Sequence, residues 1–305
     1  MTAPGFAGRT AGDHAADPAG TGVYLYGVAR GLDPAALRDA SGVAGAPVRG
    51  VVAAGLTALV STVRLDEYGE AALRANLEDL QWLEATARAH HDVVDRAAHA
   101  APTAPVRIAT IYRDDARVAE VLTDEGGRFT EVLDLIDGRS EWGVKAYADP
   151  ELLRGDTGRD GPDPGGGLAP GAEPLTGPRQ DAGDAEGAEG AEGAAPAGPG
   201  AAYLRRRQQE RRRRADAGRR VGEQADAVHA ELADHAVASR HHPPQDPRLS
   251  GRAGTQILNV AYLLDEEQVE GFLAVARAAD QRLAGIEVEV TGPWPPYSFI
   301  EPGAA

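Results

Sequence analysis

The chain has 305 residues, a net charge of −16 and no cysteine. Its length is sufficient for two domains, and the lack of cysteine excludes disulfides, thiolate catalysis, cysteine-based zinc sites and iron–sulfur clusters. The acidic balance argues against a general nucleic-acid binder, because binding to phosphates needs a basic surface. No apolar run reaches the roughly 18 residues of a membrane span, and residues 1–20 lack the apolar core of a signal peptide. We therefore expect a soluble cytoplasmic protein.

The first predicted folded region covers residues 22–139 and follows a polar leader, residues 1–21, that we expect to be disordered. Apolar spacing and turn residues predict both strands and helices in it. Its predicted elements are a strand over Val23–Ala29, a hairpin of Val48–Ala54 and Leu56–Val63 around Gly55, a long helix capped by Asn76 with Leu77 and Leu80 on its apolar face, a strand over Val106–Tyr112, a helix capped by Asp114 that runs to Leu122, and a helix over Phe129–Ile136. This pattern is typical of an α+β domain.

A second region, residues 140–150 and 201–300, follows the same mixed pattern. In the strand Glu141–Ala148, Trp142, Val144, Ala146 and Ala148 share one face. The other predicted elements are a helix from about Ala201 to His241 with the seam Val221, Ala225, Val228 and Leu232, a strand over Gln256–Leu264, a helix capped by Asp265, and a strand over Ile286–Val290. The order strand, helix, strand, helix, strand is most of a split βαβ plan, and a further strand is expected between residues 240 and 255.

Two blocks of opposite charge lie next to each other inside this second region. Residues 151–202 carry ten acids and three arginines, whereas residues 203–220 carry nine arginines against Glu210 and Asp216. The acidic block is rich in Gly, Ala and Pro and includes three Ala-Glu-Gly triplets at 185–193. Such a composition buries too little apolar area to offset chain entropy, so residues 151–200 are predicted to be a disordered insertion.

The chain closes with the run Thr291-Gly-Pro-Trp-Pro-Pro-Tyr-Ser-Phe299 directly after a strand. Its three prolines predict a stiff, extended segment that presents Trp294, Tyr297 and Phe299. This run resembles the C-terminal signature of the gas vesicle protein F/L family (GvpF/GvpL). Three further motifs agree with that resemblance: Tyr24-Leu-Tyr-Gly27, the Pro-Val-Arg-Ile-Ala-Thr-Ile run at 105–111, and Glu141-Trp-Gly-Val-Lys145.

The resemblance covers roughly residues 22–150 and 201–300 and implies both a fold and a role. It implies two α+β domains, the second a modified ferredoxin-like fold. It also implies binding of the small, aggregation-prone vesicle shell protein during nucleation or growth. The polar leader and the acidic insertion depart from a compact member of that family, and the resemblance says nothing about their role.

Two groups of residues are candidate partner contacts. The first is the closing group Trp294, Pro295, Pro296, Tyr297 and Phe299. Because large aromatic side chains usually pack, docking of this group on its own domain is the favoured alternative. The second is the arginine group, represented by Arg205, Arg206 and Arg212. The favoured interpretation of the arginine group is a solvated helix face. A contact for an acidic partner or for the chain's own insertion is the second alternative. An RNA contact is the least favoured, since no aromatic residues are interleaved with the arginines.

No motif in the sequence carries catalysis or holds a cofactor. His91, Asp95 and His99, with His90 beside them, have the spacing of one helix face, but no metal signature accompanies them, and surface histidines are the simpler reading. Asp114 and Asp115 follow a strand and precede a helix, so a cap is favoured over a catalytic pair. We therefore predict no catalytic, cofactor-binding or metal-binding residue.

Together with the lack of catalytic motifs, the resemblance implies a non-enzymatic accessory protein in the cytoplasm and at the gas vesicle. Its expected partners are the shell protein and other vesicle accessory proteins, without nucleic acid or membrane. The alternative from another class is a small-ligand-binding or regulatory protein on a ferredoxin-like scaffold, a fold that hosts many functions. An enzyme is the third reading.

Overall fold

Two four-stranded antiparallel sheets form the framework of the protein. The computed structural model describes residues 20–154, 199–245, 252 and 254–300. The N-terminal elements are β1 (Thr21–Arg30), β2 (Arg49–Ala53), β3 (Leu56–Arg64), α1 (Leu65–Tyr68), α2 (Glu70–Asn76), α3 (Leu80–Ala98), β4 (Thr103–Tyr112), α4 (Asp115–Asp124) and α5 (Gly126–Ile136). The C-terminal elements are β5 (Arg139–Ala148), α6 (Pro150–Arg154), α7 (Pro199–Ala233), β6 (Ala238–His241), β7 (Thr255–Asp265), α8 (Val269–Arg282) and β8 (Ile286–Trp294). Mixed α/β architecture with two sheets is thus present, as the sequence predicted.

The first sheet has the order β2-β3-β1-β4. The predicted hairpin is confirmed: β2 and β3 pair antiparallel, with Ala53 opposite Leu56. Ala54 and Gly55 between them have φ of 51° and 74°. A two-residue turn with two positive φ angles matches the twist of the strands that it joins, and glycine makes that backbone accessible.

Helix α3 begins later than the sequence predicted. Asn76 ends α2 and donates to the carbonyl of Glu67 instead of capping the long helix. The cap is Asp79, whose carboxylate accepts hydrogen bonds from the amides of Gln81 and Trp82. The helix therefore starts one turn further on, and its expected apolar positions Leu77 and Leu80 are exposed. The buried side chains of α3 are Thr86, His90, Val93, Val94 and Ala97.

The predicted N-terminal cap of helix α4 is confirmed. The side chain of Asp114 accepts from the amide of Arg117, 2.8 Å away. Asp115 forms an ion pair with Arg49 of β2, with 2.8 Å between nitrogen and oxygen. Both carboxylates therefore have structural partners, which agrees with the predicted cap.

The second sheet has the order β6-β7-β5-β8. Strand β5 lies inside it, with Val144 opposite both Val260 and Val290. The predicted shared face of β5 is confirmed, since Trp142, Val144, Ala146 and Ala148 are all buried in one core cluster. Helices α7 and α8 contribute to the same cluster, and the predicted α7 seam of Val221, Ala225, Val228 and Leu232 is buried.

Three boundaries in this half differ from the predictions. Helix α7 ends at Ala233, not at His241, and the strand expected between 240 and 255 is β6, Ala238–His241. Asp265 makes no capping hydrogen bond; its carboxylate accepts from Arg139 Nε at 2.8 Å, and a 3-10 turn over Glu266–Gln268 precedes α8. At Asp265 the tertiary contact with Arg139 decided the outcome over the local capping signal.

The two halves share a hydrophobic core. One face of the first sheet packs against α4 and α5, and Ala261 and Leu263 of β7 join the same cluster with Phe299 and Ile300. The opposite face of the first sheet packs against α3 in a separate cluster that includes Tyr24 and Val94. The junction between the halves is therefore apolar and continuous.

The predicted leader and most of the predicted insertion lie outside the described residues. At the insertion's predicted start the structure has the short helix α6, whose Leu152 and Leu153 pack against the second core. Among the helices of the described part, none is both long and apolar enough to cross a membrane.

Candidate partner-binding surfaces

The closing segment, residues 291–300, is partly strand and partly turn. Strand β8 lies at the edge of the second sheet and continues to Trp294, so the prediction of an extended segment is confirmed for residues 291–294 and wrong for the turn that follows. The edge position explains why the strand tolerates Pro293, since an edge strand can lack an amide donor. After Pro296, residues Tyr297–Phe299 form one turn of 3-10 helix.

Only one of the three aromatic side chains of this segment is substantially exposed. Phe299 is 1% exposed and lies in the core shared by the two halves, while Trp294 is 44% exposed. Pro295 and Pro296 are buried, and Tyr297 is half-buried. The alternative that the segment docks on its own protein therefore holds for most of it, and the expected presentation of all three aromatics is wrong. Trp294 is the aromatic candidate of this segment that remains on the surface.

A polar junction fixes the turn of the closing segment. The Glu141 carboxylate accepts from the amide and the hydroxyl of Ser298, each at 2.7 Å. Arg240 Nη1 donates to the Ser298 carbonyl at 2.6 Å, and His242 Nε2 lies 3.1 Å from the Ser298 hydroxyl. Burial raises the pKa of Glu141 above its ordinary value, although the two hydrogen bonds from Ser298 and the charge of Arg240 act against that rise.

Helix α3 supports the other side of the closing segment. The rings of His91 and Trp294 meet edge to face with centroids 5.5 Å apart. His91 also stacks on Tyr297 at 6.3 Å. Burial raises the pKa of Tyr297, which keeps its phenol neutral. The position of the Trp294 indole is thus set by contacts from α3 as well as from the second sheet.

A buried tyrosine–histidine pair lies beneath this contact. The Tyr24 hydroxyl accepts from the amide of Ala109 at 3.1 Å and lies 3.0 Å from His90 Nδ1. The His90 ring is neutral near pH 7, because burial disfavours its charged form. Burial lowers the pKa of His90 to about 4 and raises that of Tyr24.

The histidines of α3 have separate surroundings. His90 bonds Tyr24, His91 contacts Trp294, and His99 Nδ1 lies 2.8 Å from the carbonyl of Asp95. In the described ranges, no group of three or more His, Asp or Glu side chains is arranged to hold a metal ion.

The basic half of α7 forms the second candidate surface, here called the arginine arm, residues 203–215. Every residue in it is exposed, including Arg205, Arg206 and Arg212. Its first residues are exposed apolar side chains, Tyr203 at 61% and Leu204 at 64%. Arg206 and Glu210 form one ion pair along the helix, at 3.8 Å. The arm and the closing segment are distinct surfaces, since the closing segment packs against α3 and the shared core.

Two open cavities lie elsewhere on the described surface. One, of about 600 Å³, is at the end of the second sheet and is lined by Tyr147, Arg252 and Asp280, among others. Arg252 lies over the Tyr147 ring at 5.1 Å and forms ion pairs with Glu287 and Glu289. The other cavity, of about 450 Å³, lies beside α3 near Glu84 and Arg88, which pair with each other. The charged groups named here already have partners, since Arg252 pairs with Glu287 and Glu289, Glu84 pairs with Arg88, and Asp280 accepts from the amide of Val288.

The structure joins the four sequence motifs that carried the resemblance in two pairs. Tyr24 of the first motif bonds Ala109 of the second, and Glu141 of the third bonds Ser298 of the fourth. The sequence reasoning missed His90, Arg240 and Ser298 as members of these contacts, because hydrogen bonds between residues far apart in sequence leave no local pattern. The signal in the sequence that pointed to these contacts was the presence of all four motifs in one chain.

Comparison with known proteins gives the same assignment along the whole described chain. The family model described as "Gas vesicle synthesis protein GvpL/GvpF" matches residues 22–301. "Gas vesicle protein L" of Streptomyces sp. (strain CB03234) is 36% identical over 276 residues, which cover 90% of this chain and 91% of that protein. "Gas vesicle protein F" of the same organism is 28% identical over 280 residues, which cover 91% of this chain and 99% of that protein.

Solved structures show a similar fold. The crystal structure of GvpF from Anabaena sp. PCC7120 matches with a TM-score of 0.61 and 17% identity, over 92% of this chain and 96% of that one. GvpF from Microcystis aeruginosa matches with a TM-score of 0.58 and 17% identity, over 92% and 99%. With the family model covering nearly the whole chain and with the match to gas vesicle protein L, the chain belongs to the gas vesicle GvpL/GvpF family.

Proposed function

We propose that this protein is a non-enzymatic accessory protein that binds the hydrophobic gas vesicle shell subunit, limits its aggregation and assists vesicle nucleation and assembly in the cytoplasm. The observation that carries the proposal is the family match over residues 22–301. A shell monomer exposes apolar surface that would otherwise aggregate, and a binder stabilises the unassembled form by mass action. Other vesicle accessory proteins are further partners in this proposal.

The proposal includes a scaffold with two domains, residues 22–139 and residues 140–150 with 201–300. Strand order β6-β7-β5-β8 and the succession of strands and helices in the second sheet support a ferredoxin-like arrangement there. The core shared by both halves supports a rigid junction between the domains. On such a scaffold the exposed Trp294 has a fixed position beside α3.

Co-expression with a gas vesicle shell subunit tests the function. We expect the shell subunit to remain in the supernatant and to co-purify with the protein when no nucleotide or metal is added. Measuring the supernatant fraction of the shell subunit with and without the protein gives the result. An unchanged fraction, together with normal vesicles after deletion of the gene, would contradict the proposal.

Trp294 is the expected anchor residue of the shell contact. We expect Trp294→Ala to leave the free energy of unfolding within about 1 kcal/mol of wild type, because the side chain is nearly half exposed. Binding of the shell subunit should weaken by about 30-fold in Kd, as for an interface hot spot. Thermal unfolding and a pull-down titration measure the two effects.

Val52→Ala is the control, because Val52 is also an exposed apolar residue on an edge strand, here β2 of the first sheet. It should change neither stability nor capture. Equal capture by wild type and Trp294→Ala would remove Trp294 from the proposed contact.

A further inference from the structure

The arginine arm is a helix without the apolar stripe that stabilises surface helices. The apolar seam of α7 ends at Ala217, which is buried, and from residue 215 back to 203 all side chains are exposed. The arm contains seven arginines, all within residues 205–214, and one acid, Glu210. Arg207 and Arg211 are like charges at i and i+4, a destabilising spacing. An exposed helical stretch of about 13 residues is marginal by itself in water, so an anionic ligand that offsets the repulsion between the arginines would stabilise the arm.

Chain connectivity brings a strongly acidic segment to the tip of this arm. The chain leaves the described residues after α6, which contacts α7 and packs Leu152 and Leu153 into the same core cluster as Val221. It returns at Pro199, the first residue of α7. Residues 155–198 therefore connect α6, which contacts α7, to Pro199 at the tip of the arm.

The charge of that segment complements the charge of the arm. Residues 155–198 contain nine acids and two arginines. Five of the acids, with no basic residue among them, lie near its end: Asp181, Asp184, Glu186, Glu189 and Glu192. Opposite charges at this density attract over roughly the Debye length, about 8 Å at physiological ionic strength.

The reach of the acidic cluster also matches the length of the arm. Along the helix, Arg205 and Arg214 lie about 9 Å and 22 Å from Pro199, at about 1.5 Å per residue. Glu192 is seven residues from Pro199 and reaches back about 23 Å when extended, at about 3.3 Å per residue. The acidic cluster can therefore reach every arginine of the arm without spanning any other part of the protein, at the high effective concentration of a short tether.

We propose that the arginine arm is a docking surface for an acidic polypeptide and that its occupant is residues 181–192 of the same chain. In this arrangement the acidic cluster neutralises the arm and stabilises its helix. An external acidic protein or a polyanion has to compete with a tethered ligand. The proposal does not depend on shell binding.

Energy transfer between two dyes tests this proposal on the full chain. The protein has no cysteine, so Gln209→Cys on the arm and Ala188→Cys in the acidic cluster give two unique labelling sites. We expect high transfer at about 0.01 M salt and about twofold lower transfer at about 1 M salt, where the Debye length falls from about 30 Å to about 3 Å. Salt-independent transfer would overturn the proposal.

Charge removal gives the second measurement. Replacing the five acids by their amides (Asp181→Asn, Asp184→Asn, Glu186→Gln, Glu189→Gln and Glu192→Gln) should lower transfer at low salt to its high-salt value. A matched control removes five exposed acids elsewhere, with Glu78→Gln, Asp92→Asn, Asp124→Asn, Glu131→Gln and Glu267→Gln. The control should retain high transfer, and equal transfer in the two variants would contradict the assignment to residues 181–192.

A third measurement identifies the occupant. Mixing two singly labelled proteins reports contact between molecules, and we expect no transfer in that mixture. Transfer that appears only between molecules would place a second copy on the arm and overturn the proposal. Thermal unfolding of each variant checks that the core is intact, and its midpoint should be unchanged.

Discussion

Phe299→Ala should lower the free energy of unfolding by about 3–5 kcal/mol, the range for removal of a buried large aromatic side chain. Phe299 is 1% exposed and lies in the core cluster that includes Leu263 of the second sheet and Leu25 of the first. The loss should therefore include the contact between the two halves of the protein. Chemical denaturation measures it, and the slope with denaturant shows whether unfolding remains a single transition.

Trp294→Ala is the control for this measurement, since it removes an aromatic side chain from the same segment at a nearly half-exposed position. It should retain almost all of the stability that Phe299→Ala loses. If both variants lost the same amount, the closing segment would not pack as described. If neither lost stability, the shared core would not depend on the segment.

Acidification should destabilise the protein through His90. Burial holds the pKa of His90 at about 4, whereas the ordinary value is 6.5. Between these values the unfolded chain binds a proton that the folded protein does not, so the free energy of unfolding falls as the pH falls. Each pH unit between the two pKa values corresponds to about 1.4 kcal/mol, which gives a loss of about 3 kcal/mol over the whole window.

Replacement of His90 separates this effect from other titrating groups. We expect His90→Phe to show a weaker dependence of unfolding free energy on pH between pH 4 and pH 6.5. His99→Gln changes an exposed histidine next to the same helix and should leave the wild-type dependence in place. Parallel curves for wild type and His90→Phe would show that His90 does not resist protonation in the folded protein.

Several predictions that rested on local signals agree with the structure. The Ala54–Gly55 hairpin, the Asp114 cap and the buried face of β5 each depend on a few neighbouring residues and on the side-chain period of the element. The seam of α7 is predictable for the same reason, because its apolar side chains recur at helical spacing. Opposite-charge blocks were likewise visible in the sequence, and the structure adds the exposure of the arginine arm and the places where the acidic segment begins and ends.

Where two local signals competed, the sequence did not determine the outcome. Asn76 and Asp79 are both good capping residues, and Asp79 became the cap of α3 while Asn76 bonded the carbonyl of Glu67. Asp265 has the residue type and the position of a helix cap, yet its carboxylate accepts a hydrogen bond from Arg139, 126 residues away in sequence. A side chain takes the partner that the folded chain brings to it, and a distant partner leaves no trace in the local pattern.

The sequence alone determined the mixed α/β class, the motifs of the GvpL/GvpF family, and the separation of acidic and basic blocks. These properties follow from residue types and short spacings, which do not need the rest of the chain. Only the tertiary structure decided that Phe299 is in the core while Trp294 is on the surface, and that Glu141 holds Ser298. The physical reason is that burial and hydrogen bonding are set by which distant elements pack together, and at the closing segment both halves of the protein meet.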